Sequence, residues 1–118
     1  LIEEANFFDR SLVDVVKLLL QNDKKIVVSG LDLDFRGNPF GPMGHLLALA
    51  NEVIKKQAFC EYSNEIGEKC GEIATRTQRL LYGNPAPHSD PLIIVGDGNE
   101  NDNRSYQARC PKHHIVPR

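Results

Sequence analysis

Three cysteines and two adjacent histidines in the second half of the chain have the residue types and spacing of a metal site. Nine residues separate Cys60 from Cys70, and a Cys-x2-His pair joins Cys110 to His113, with His114 directly after it. Zinc takes four nitrogen or sulfur ligands in a tetrahedron, which two such pairs can supply. The first pair is more widely spaced than the roughly two to four residues usual in zinc knuckles. Structural zinc and three reduced cysteines therefore stay open as alternatives, as do the two histidines as fourth ligand.

Two adjacent carboxylates, Glu3 and Glu4, follow the apolar pair Leu1-Ile2 at the start of the chain. Adjacent acids at the end of a strand resemble the Walker B position, where one carboxylate organises Mg²⁺ and another accepts the proton of the attacking hydroxyl. The alternative is that two exposed acids precede a helix and are favoured by its dipole. Without further context the residues favour this alternative.

Residues 31–42 form a loop with an unusual composition. It contains two each of Gly, Pro and Asp, but also two Leu and two Phe. A loop that only connects two elements in solvent would not carry four large apolar side chains. Open α/β sheets bind ligands in loops at the carboxyl ends of their parallel strands. We expect a ligand-binding loop, with a packed connector as the alternative.

The elements that must position these residues divide the chain into two parts. Residues 1–58 alternate between strands and helices, which is typical of an α/β fold, whereas residues 59–118 contain the cysteines and short strand-like runs. In the first part we expect a strand that ends at Leu1-Ile2, and then a helix from Asp9 or Ser11 to about Asn22. One face of this helix would carry Leu12, Val15, Val16 and Leu19. A buried parallel strand over residues 25–30 and a helix from Met43 to Val53 would follow. In the second part we expect strands over residues 73–81, 92–95 and 106–109, a loop over residues 83–91, and a polar loop over residues 96–103.

Composition narrows the possible partners and the compartment. A net charge of −2 at pH 7 gives no electrostatic reason to expect nucleic acid or anionic lipid as the main partner. The longest apolar stretches, such as residues 46–50, fall far short of the ~20 residues that a membrane span needs. Three cysteines cannot form a fully paired disulfide framework within one chain, so we expect a reducing, cytoplasmic environment. The first residues read as the end of a buried strand, so we expect a missing upstream portion.

Three stretches resemble the family of small, zinc-containing thymidine kinases. Residues 2–8 are similar to the family motif I-D-E-A/V-Q-F-F, and residues 30–43 are close to G-L-D-x-D-F-R-G-x-P-F-G-P-x. Residues 70–110 follow the pattern C-G-x-x-A-T-R-T-Q-R-L, then D-P, then S-Y-E-A-R-C. The matches run in order through nearly the whole chain, which is therefore identified as resembling the C-terminal half of this family.

The resemblance implies a fold and an activity. The fold would be α/β: the C-terminal part of a P-loop NTPase-like parallel-sheet domain over residues 1–58, followed by a small zinc-ribbon-like lasso domain over residues 59–118. The activity would be transfer of the γ-phosphate of ATP to the 5′-hydroxyl of thymidine. Glu4 matches the catalytic base that accepts the hydroxyl proton, and Glu3 matches the acid, usually Asp, that is associated with Mg²⁺.

The resemblance also implies ligands for the remaining candidate residues. Apolar and aromatic side chains would line the thymidine pocket, and a lasso loop would cover the base through its backbone groups. The implied pocket residues are Phe7, Leu31, Phe35, Phe40 and Tyr106, and the implied lasso residues are Thr77, Leu92, Ile93, Ile94 and Val95. The implied ligands of structural zinc, which would anchor the lasso, are Cys60, Cys70, Cys110 and His113. The family further implies feedback inhibition by dTTP and a homotetramer.

The sequence departs from the family pattern at several points. Glu3 replaces Asp, Asn6 replaces Gln, and the spacing of Cys60 and Cys70 carries an insertion. The phosphate-binding motif G-x-x-x-x-G-K-[S/T] does not occur in the 118 residues. We expect this loop to lie upstream, and the 118 residues alone to be inactive.

Two other functions remain open from the sequence. A standalone zinc-ribbon interaction module would predict a basic, aromatic surface around the cysteines. Four nearby acids, Glu61, Glu65, Glu68 and Glu72, argue against it. The other alternative is a non-catalytic remnant that still binds thymidine or dTTP.

Overall fold

Helices and strands occupy different parts of the chain in the computed structural model, which describes residues 1–94 and 103–118. The helices lie in unit 1, which comprises Leu1–Asp34 and Asn38–Ile54. The strands lie in unit 2, which comprises Phe35–Gly37 and Lys55–Arg118. The two units are compact parts of the chain and do not test the predicted domain boundaries. The division into domains of residues 1–58 and 59–118 therefore stays a prediction. The described residues thus form a mixed helix and strand structure with two antiparallel sheets.

Unit 1 begins with a short 3-10 helix, Ala5–Phe7, followed by helix α1, Ser11–Gln21. The predicted helix from Asp9 or Ser11 to Asn22 is confirmed as α1, and a carboxylate oxygen of Asp9 accepts a 2.9 Å hydrogen bond from the Ser11 N–H at its start. The inner face is shifted from the prediction, because Val13 is buried while Val15 is 49% exposed. The core of unit 1 consists of Ala5, Leu12, Val13, Val16, Met43 and Leu46.

Helix α2, Met43–Leu49, is shorter than predicted. The apolar pattern continues to Val53, but Ala50 adopts an extended backbone with φ −67° and ψ 135°, which ends the helix. Leu49, the last helical residue, is 38% exposed, and Val53 beyond the helix is 46% exposed. The prediction of a helix to Val53 is therefore wrong for its last four residues.

The predicted parallel strand over residues 25–30 is present as a single parallel bridge between Ile2 and Val28. Ile2 donates to the Val27 carbonyl at 2.9 Å, and Ser29 donates to the Ile2 carbonyl at 2.9 Å. The parallel direction is as predicted, but the burial is not, since Val27 is 59% exposed. One bridging partner in the described part of the chain covers only one edge of this segment.

The loop over residues 31–42 closes on itself through short-range hydrogen bonds. The N–H of Asp34 donates to the Asn38 carbonyl at 2.8 Å, and the N–H of Asn38 donates to the Asp34 carboxylate at 3.1 Å. Leu33 and Pro39 form an antiparallel bridge just outside this turn. The tip of the turn, Phe35–Gly37, belongs to unit 2.

Unit 2 contains a two-stranded and a three-stranded antiparallel sheet. Strands β1 (Ala58–Phe59) and β2 (Ile73–Ala74) form the first sheet, and the second has the order β4 (Asn84–Pro85), β3 (Arg76–Leu81), β5 (Arg104–Arg109). Tyr82 and Gly83 join β3 to β4 with φ of 51° and 78°, as a two-residue type I′ hairpin turn requires.

The predicted strands agree with these sheets in part. The run over residues 73–81 is confirmed as β2 and β3, and the run over residues 106–109 is confirmed as part of β5. Residues 92–94 form no strand, and Val95 lies outside the described residues. The predicted loop over residues 83–91 contains β4. Within the described residues, no helix has the length and apolar character that crossing a membrane requires.

Candidate functional site

The three cysteines and His113 come together at the ends of strands in unit 2. Cys60 directly follows β1, Cys70 lies shortly before β2, and Cys110 directly follows β5. The ligand atoms of these residues and of His113 all lie within 4.8 Å of one another. We call these four residues the Cys3His cluster.

The spacing within the Cys3His cluster fits a tetrahedral zinc ion. Bonds of about 2.3 Å to sulfur and about 2.0 Å to nitrogen place tetrahedral ligands roughly 3.8 Å (S to S) and roughly 3.5 Å (S to N) apart. The Sγ atoms of Cys70 and Cys110 are 3.9 Å apart, and the Nδ1 atom of His113 lies 3.8 Å from Cys60 Sγ and 3.3 Å from Cys110 Sγ. A disulfide would need sulfurs about 2.0 Å apart. The donor set and its spacing therefore suit zinc and do not suit a disulfide.

A small hairpin explains how the wide Cys60–Cys70 spacing still forms half of a metal site. Ser63 and Lys69 pair in an antiparallel bridge, and the Asn64 side chain accepts hydrogen bonds from the N–H groups of Ile66 and Glu68 at 3.1 and 2.9 Å. Gly67 completes the turn with φ 84°. The inserted residues therefore fold out of the way, and the two cysteines meet at the base of the hairpin.

Aromatic stacking and hydrogen bonds orient His113. Its ring stacks on Tyr62 with centroids 4.1 Å apart and an interplanar angle of 15°. Arg109 donates to the His113 carbonyl at 2.9 Å, and its guanidinium lies 5.1 Å from the Tyr62 ring centroid. These contacts hold the His113 ring with Nδ1 toward the sulfurs.

The neighbouring His114 has a different partner. Its Nε2 atom lies 2.7 Å from the carbonyl oxygen of Phe35. A carbonyl only accepts hydrogen bonds, so Nε2 carries the hydrogen. Of the two histidines that the sequence left open, His113 is the one in the Cys3His cluster.

The thiol groups of Cys60 and Cys70 have opposite shifts in pKa. Burial raises the pKa of the Cys60 thiol, but hydrogen bonds from the backbone of Cys110 and Tyr62 and from the His113 side chain outweigh it and lower the pKa to about 6. The Glu72 N–H lowers the pKa of the Cys70 thiol, but burial and the neighbouring Cys60 and Cys110 side chains outweigh it and raise the pKa. Thiolate is the form that binds metal. The Cys60 thiol, whose pKa is lowered, therefore ionises more readily than the Cys70 thiol, whose pKa is raised.

A buried polar network forms a second feature of unit 2. Asp90 accepts hydrogen bonds from Arg79 at 2.9 Å and from two nitrogens of Arg104 at 3.0 and 2.9 Å. Hydrogen bonds from Arg104, opposed by burial and assisted by Arg79, lower the pKa of the Asp90 carboxyl. Arg79 also donates to the carbonyls of Pro91 and of Leu92, the latter at 2.8 Å. The network thereby fixes the chain at the start of the predicted lasso.

The Arg79 guanidinium also brings two of the predicted pocket residues together. It lies 3.9 Å from the ring centroid of Phe35 and 5.6 Å from that of Tyr106. Phe35 is buried, whereas Tyr106 is 53% exposed. Sequence reasoning did not single out Arg79 or Asp90 as site residues. The available signal was a charged residue in the middle of a predicted strand, which needs a partner when it is buried.

The predicted site residues of unit 1 form a separate group. Phe7 and Phe40 meet edge to face with ring centroids 5.5 Å apart. The Asn6 side-chain oxygen accepts a 3.1 Å hydrogen bond from the N–H of Leu31. Glu4 is exposed and has φ 50°, the left-handed region that non-glycine residues rarely adopt. Such backbone outliers cluster at functional sites.

The remaining predicted residues are placed as follows. Thr77 is half-buried on β3 opposite Ala108, Leu92 and Ile94 are half-buried, and Ile93 is 49% exposed. Glu3 is exposed beside Glu4. The structure thus groups Glu3, Glu4, Phe7, Leu31 and Phe40 in unit 1, and groups Phe35, Thr77, Tyr106, residues 92–94 and the Cys3His cluster in unit 2.

Comparison with known proteins gives the family. The family model for thymidine kinase matches residues 1–114. A thymidine kinase of Coprothermobacter proteolyticus is 54% identical over 116 residues, which is 98% of this chain and 52% of the relative. The chain therefore spans about half the length of this curated relative. Because the match covers nearly every residue and includes the motifs that carry the two groups of site residues, the chain belongs to the thymidine kinase family.

Proposed function

We propose that the protein provides the nucleoside side of a thymidine kinase, which transfers the γ-phosphate of ATP to the 5′-hydroxyl of thymidine in deoxynucleotide salvage. The observation that carries this proposal is the position of Glu4. It is an exposed carboxylate on a left-handed backbone, and the short helix that follows it leads directly to Phe7, which packs against Phe40. This arrangement supports the proposal, because phosphorylation of a nucleoside hydroxyl uses a proton acceptor and a surface that binds the base.

The chemistry asked of this chain is positioning and proton transfer. Glu4 accepts the proton of the thymidine 5′-hydroxyl as that oxygen attacks the γ-phosphate. Phosphoryl transfer otherwise depends on orienting the reactants and neutralising charge. Glu3 supplies a carboxylate oxygen, the ligand type that Mg²⁺ prefers, and Mg²⁺ would neutralise charge on the ATP phosphates. Since the sequence contains no phosphate-binding loop, we assign ATP binding to residues outside these 118.

Aromatic side chains and one loop are proposed to bind the base. Phe7 and Phe40 pack edge to face and offer flat apolar surface to a pyrimidine. Phe35 and Tyr106, which both lie near the Arg79 guanidinium, are proposed as base-binding residues on the family resemblance. Residues 92–95 offer backbone groups to its polar edge. The buried Arg79 supports this assignment, because it fixes the carbonyls of Pro91 and Leu92 where this loop begins.

Zinc is proposed as a structural ion in the Cys3His cluster. Four protein ligands complete a tetrahedron, which leaves no open position for a substrate or a water nucleophile. Bound there, the ion would join the ends of β1 and β5 and the approach to β2, and so stabilise the base of the lasso.

The remaining proposals rest mainly on membership of the family. They are inhibition by dTTP, assembly as a homotetramer and a cytoplasmic location, with neither nucleic acid nor membrane as a partner. The three free cysteines support a reducing compartment. The net charge of −2 gives no support to nucleic-acid binding.

The test is thymidine phosphorylation by the protein in its full encoded length, measured as ADP release and as formation of thymidine monophosphate. Glu4→Gln should lower kcat by about 10²- to 10⁴-fold, the usual contribution of a general base, while thymidine still binds. Glu65→Gln, on the hairpin between the cysteines, is the matched control and should leave kcat unchanged. Wild-type protein that binds thymidine without turnover would instead support the non-catalytic alternative, and full activity in Glu4→Gln would remove Glu4 from its proposed role.

A further inference from the structure

Each residue of the segment Phe35–Gly37 lies beside residues from the later part of unit 2. The ring of Phe35 lies under the Arg79 guanidinium, and its carbonyl accepts the hydrogen bond from His114. The Arg36 side chain donates to the Asp90 carbonyl at 3.0 Å. A Cβ atom on Gly37, whose φ is 83°, would lie 3.4 Å from the His114 ring. His114 thus bonds to the first residue of the segment and lies close to the last.

The position of His114 is fixed from both sides along the chain. On one side, His113 belongs to the Cys3His cluster. On the other side, Gln78 donates to the Ile115 carbonyl and accepts from the Ile115 N–H, each at 2.8 Å. Gln78 is 1% exposed, so this pair of hydrogen bonds is shielded from water. The imidazole between these two anchors has little freedom to move away from Phe35.

We propose that His114 is a positioning residue that couples the Cys3His cluster to the nucleoside site by holding the carbonyl of Phe35. This inference rests on the proposed function, in which Phe35 lines the thymidine pocket. His114 neither binds the metal nor touches the reacting atoms. It links the turn that carries His113 to a segment that lies 79 positions earlier in the sequence. A metal ion held by the cluster would order this turn and would thereby favour nucleoside binding without touching the nucleoside.

The contact is specific to the outer nitrogen of the ring, which allows a test by side-chain length. In His114→Gln the amide nitrogen reaches about as far as Nε2 and can donate to the Phe35 carbonyl. In His114→Asn the amide nitrogen reaches only as far as Nδ1, and in His114→Ala the donor is absent. Lys112→Ala, an exposed residue of the same turn, is the matched control.

The experiment measures thymidine affinity by calorimetry, zinc per chain by elemental analysis, and steady-state kinetics, all on the protein in its full encoded length. His114→Ala and His114→Asn should weaken thymidine binding about 3- to 10-fold, the value of one net hydrogen bond. Both should keep one zinc per chain, an unchanged KM for ATP and a kcat within about twofold. His114→Gln should restore thymidine affinity to within about twofold of wild type, as Lys112→Ala should retain it.

Three results would overturn the proposal. The first is unchanged thymidine affinity in His114→Ala, and the second is an equal loss in His114→Gln and His114→Ala. The third is a loss of affinity that appears only together with loss of zinc, which would make His114 part of the metal site alone. A failure of the proposed function is distinguishable, because wild-type protein would then fail to phosphorylate thymidine whatever the His114 variants do.

Discussion

Units 1 and 2 are stabilised by different kinds of interaction. The core of unit 1 is made of aliphatic side chains and Met43, supplied by two helices and the residues that precede them. The corresponding cluster in unit 2 is Cys60, Ala74 and Cys110, and its other buried residues include Gln78, Arg79, Asp90 and Arg109. A small unit that cannot bury much apolar surface needs another source of stability. The comparison teaches that unit 2 contains a Cys3His cluster suited to zinc and buried ion pairs where unit 1 contains a core of apolar side chains.

Loss of a metal ion from the Cys3His cluster should have the largest effect on stability, and it should unfold unit 2 but not unit 1. Cys110→Ser, or chelation of zinc, removes a binding free energy of about 10 kcal/mol in small zinc domains, so we expect unit 2 to unfold. The helices of unit 1 contain no cluster residue and should persist. Amide resonances of β3 and β5 should lose their dispersion, while those of α1 keep theirs.

The converse change provides the control. Leu46→Ala truncates a side chain that is 6% exposed in the unit 1 core and should cost about 3 kcal/mol of unfolding free energy. Zinc content should stay at one per chain. Equal loss of α1 and β3 signals in both variants would contradict separate sources of stability.

The next largest effect concerns the ion pairs of unit 2. Asp90→Asn removes the carboxylate that faces Arg79 and Arg104, and breaking such a buried pair costs about 3 kcal/mol. Asp14→Asn, on the exposed face of α1, should cost less than about 0.5 kcal/mol. Chemical denaturation followed through the β3 and β5 signals measures both.

The same carboxylate gives unit 2 a dependence on pH. Hydrogen bonds from Arg104, with Arg79, lower the folded-state pKa of Asp90. Its stabilisation is therefore fully present above the unfolded-state pKa of about 3.9 and is lost as the pH falls through the lower folded-state value. Protonation of the zinc ligands weakens metal binding in both proteins at low pH, so the comparison between them isolates Asp90: wild type should lose more unfolding free energy over this range than Asp90→Asn. If the unfolding free energies of the two proteins fall in parallel with pH, Asp90 is not the titrating group.

Local patterns explain which parts of unit 1 the sequence could predict. Helix α1 has both a start signal at Asp9 and an apolar repeat, and its bounds agree with the prediction. Helix α2 has an apolar repeat that continues past its end, and neither Gly nor Pro marks the turn at Ala50. The predicted end at Val53 was therefore wrong.

The candidate site of unit 2 could be predicted only where a motif is local. The Cys-x2-His pair is readable from four consecutive positions, and the Asn64–Gly67 turn explains the wide spacing of the other two cysteines. The contacts of Phe35 with Arg79 and His114 join residues far apart in sequence. Such contacts follow from tertiary packing, which no pattern of neighbouring residues encodes.

The smallest predicted effect concerns the stacking of Tyr62 on His113 in the Cys3His cluster. Tyr62→Ala removes the ring stacked on His113 and should weaken zinc binding roughly tenfold, as loss of an outer partner of a metal ligand usually does. Tyr62→Phe keeps the ring and should bind zinc as wild type does, as measured by competition with a chelator of known affinity. Equal weakening in both variants would assign the effect to the hydroxyl instead of the ring. If stacking orients His113, the aromatic ring of Tyr62 is sufficient to keep zinc affinity at the wild-type level. Large side chains would then position metal ligands in unit 2, whereas in unit 1 they fill a core.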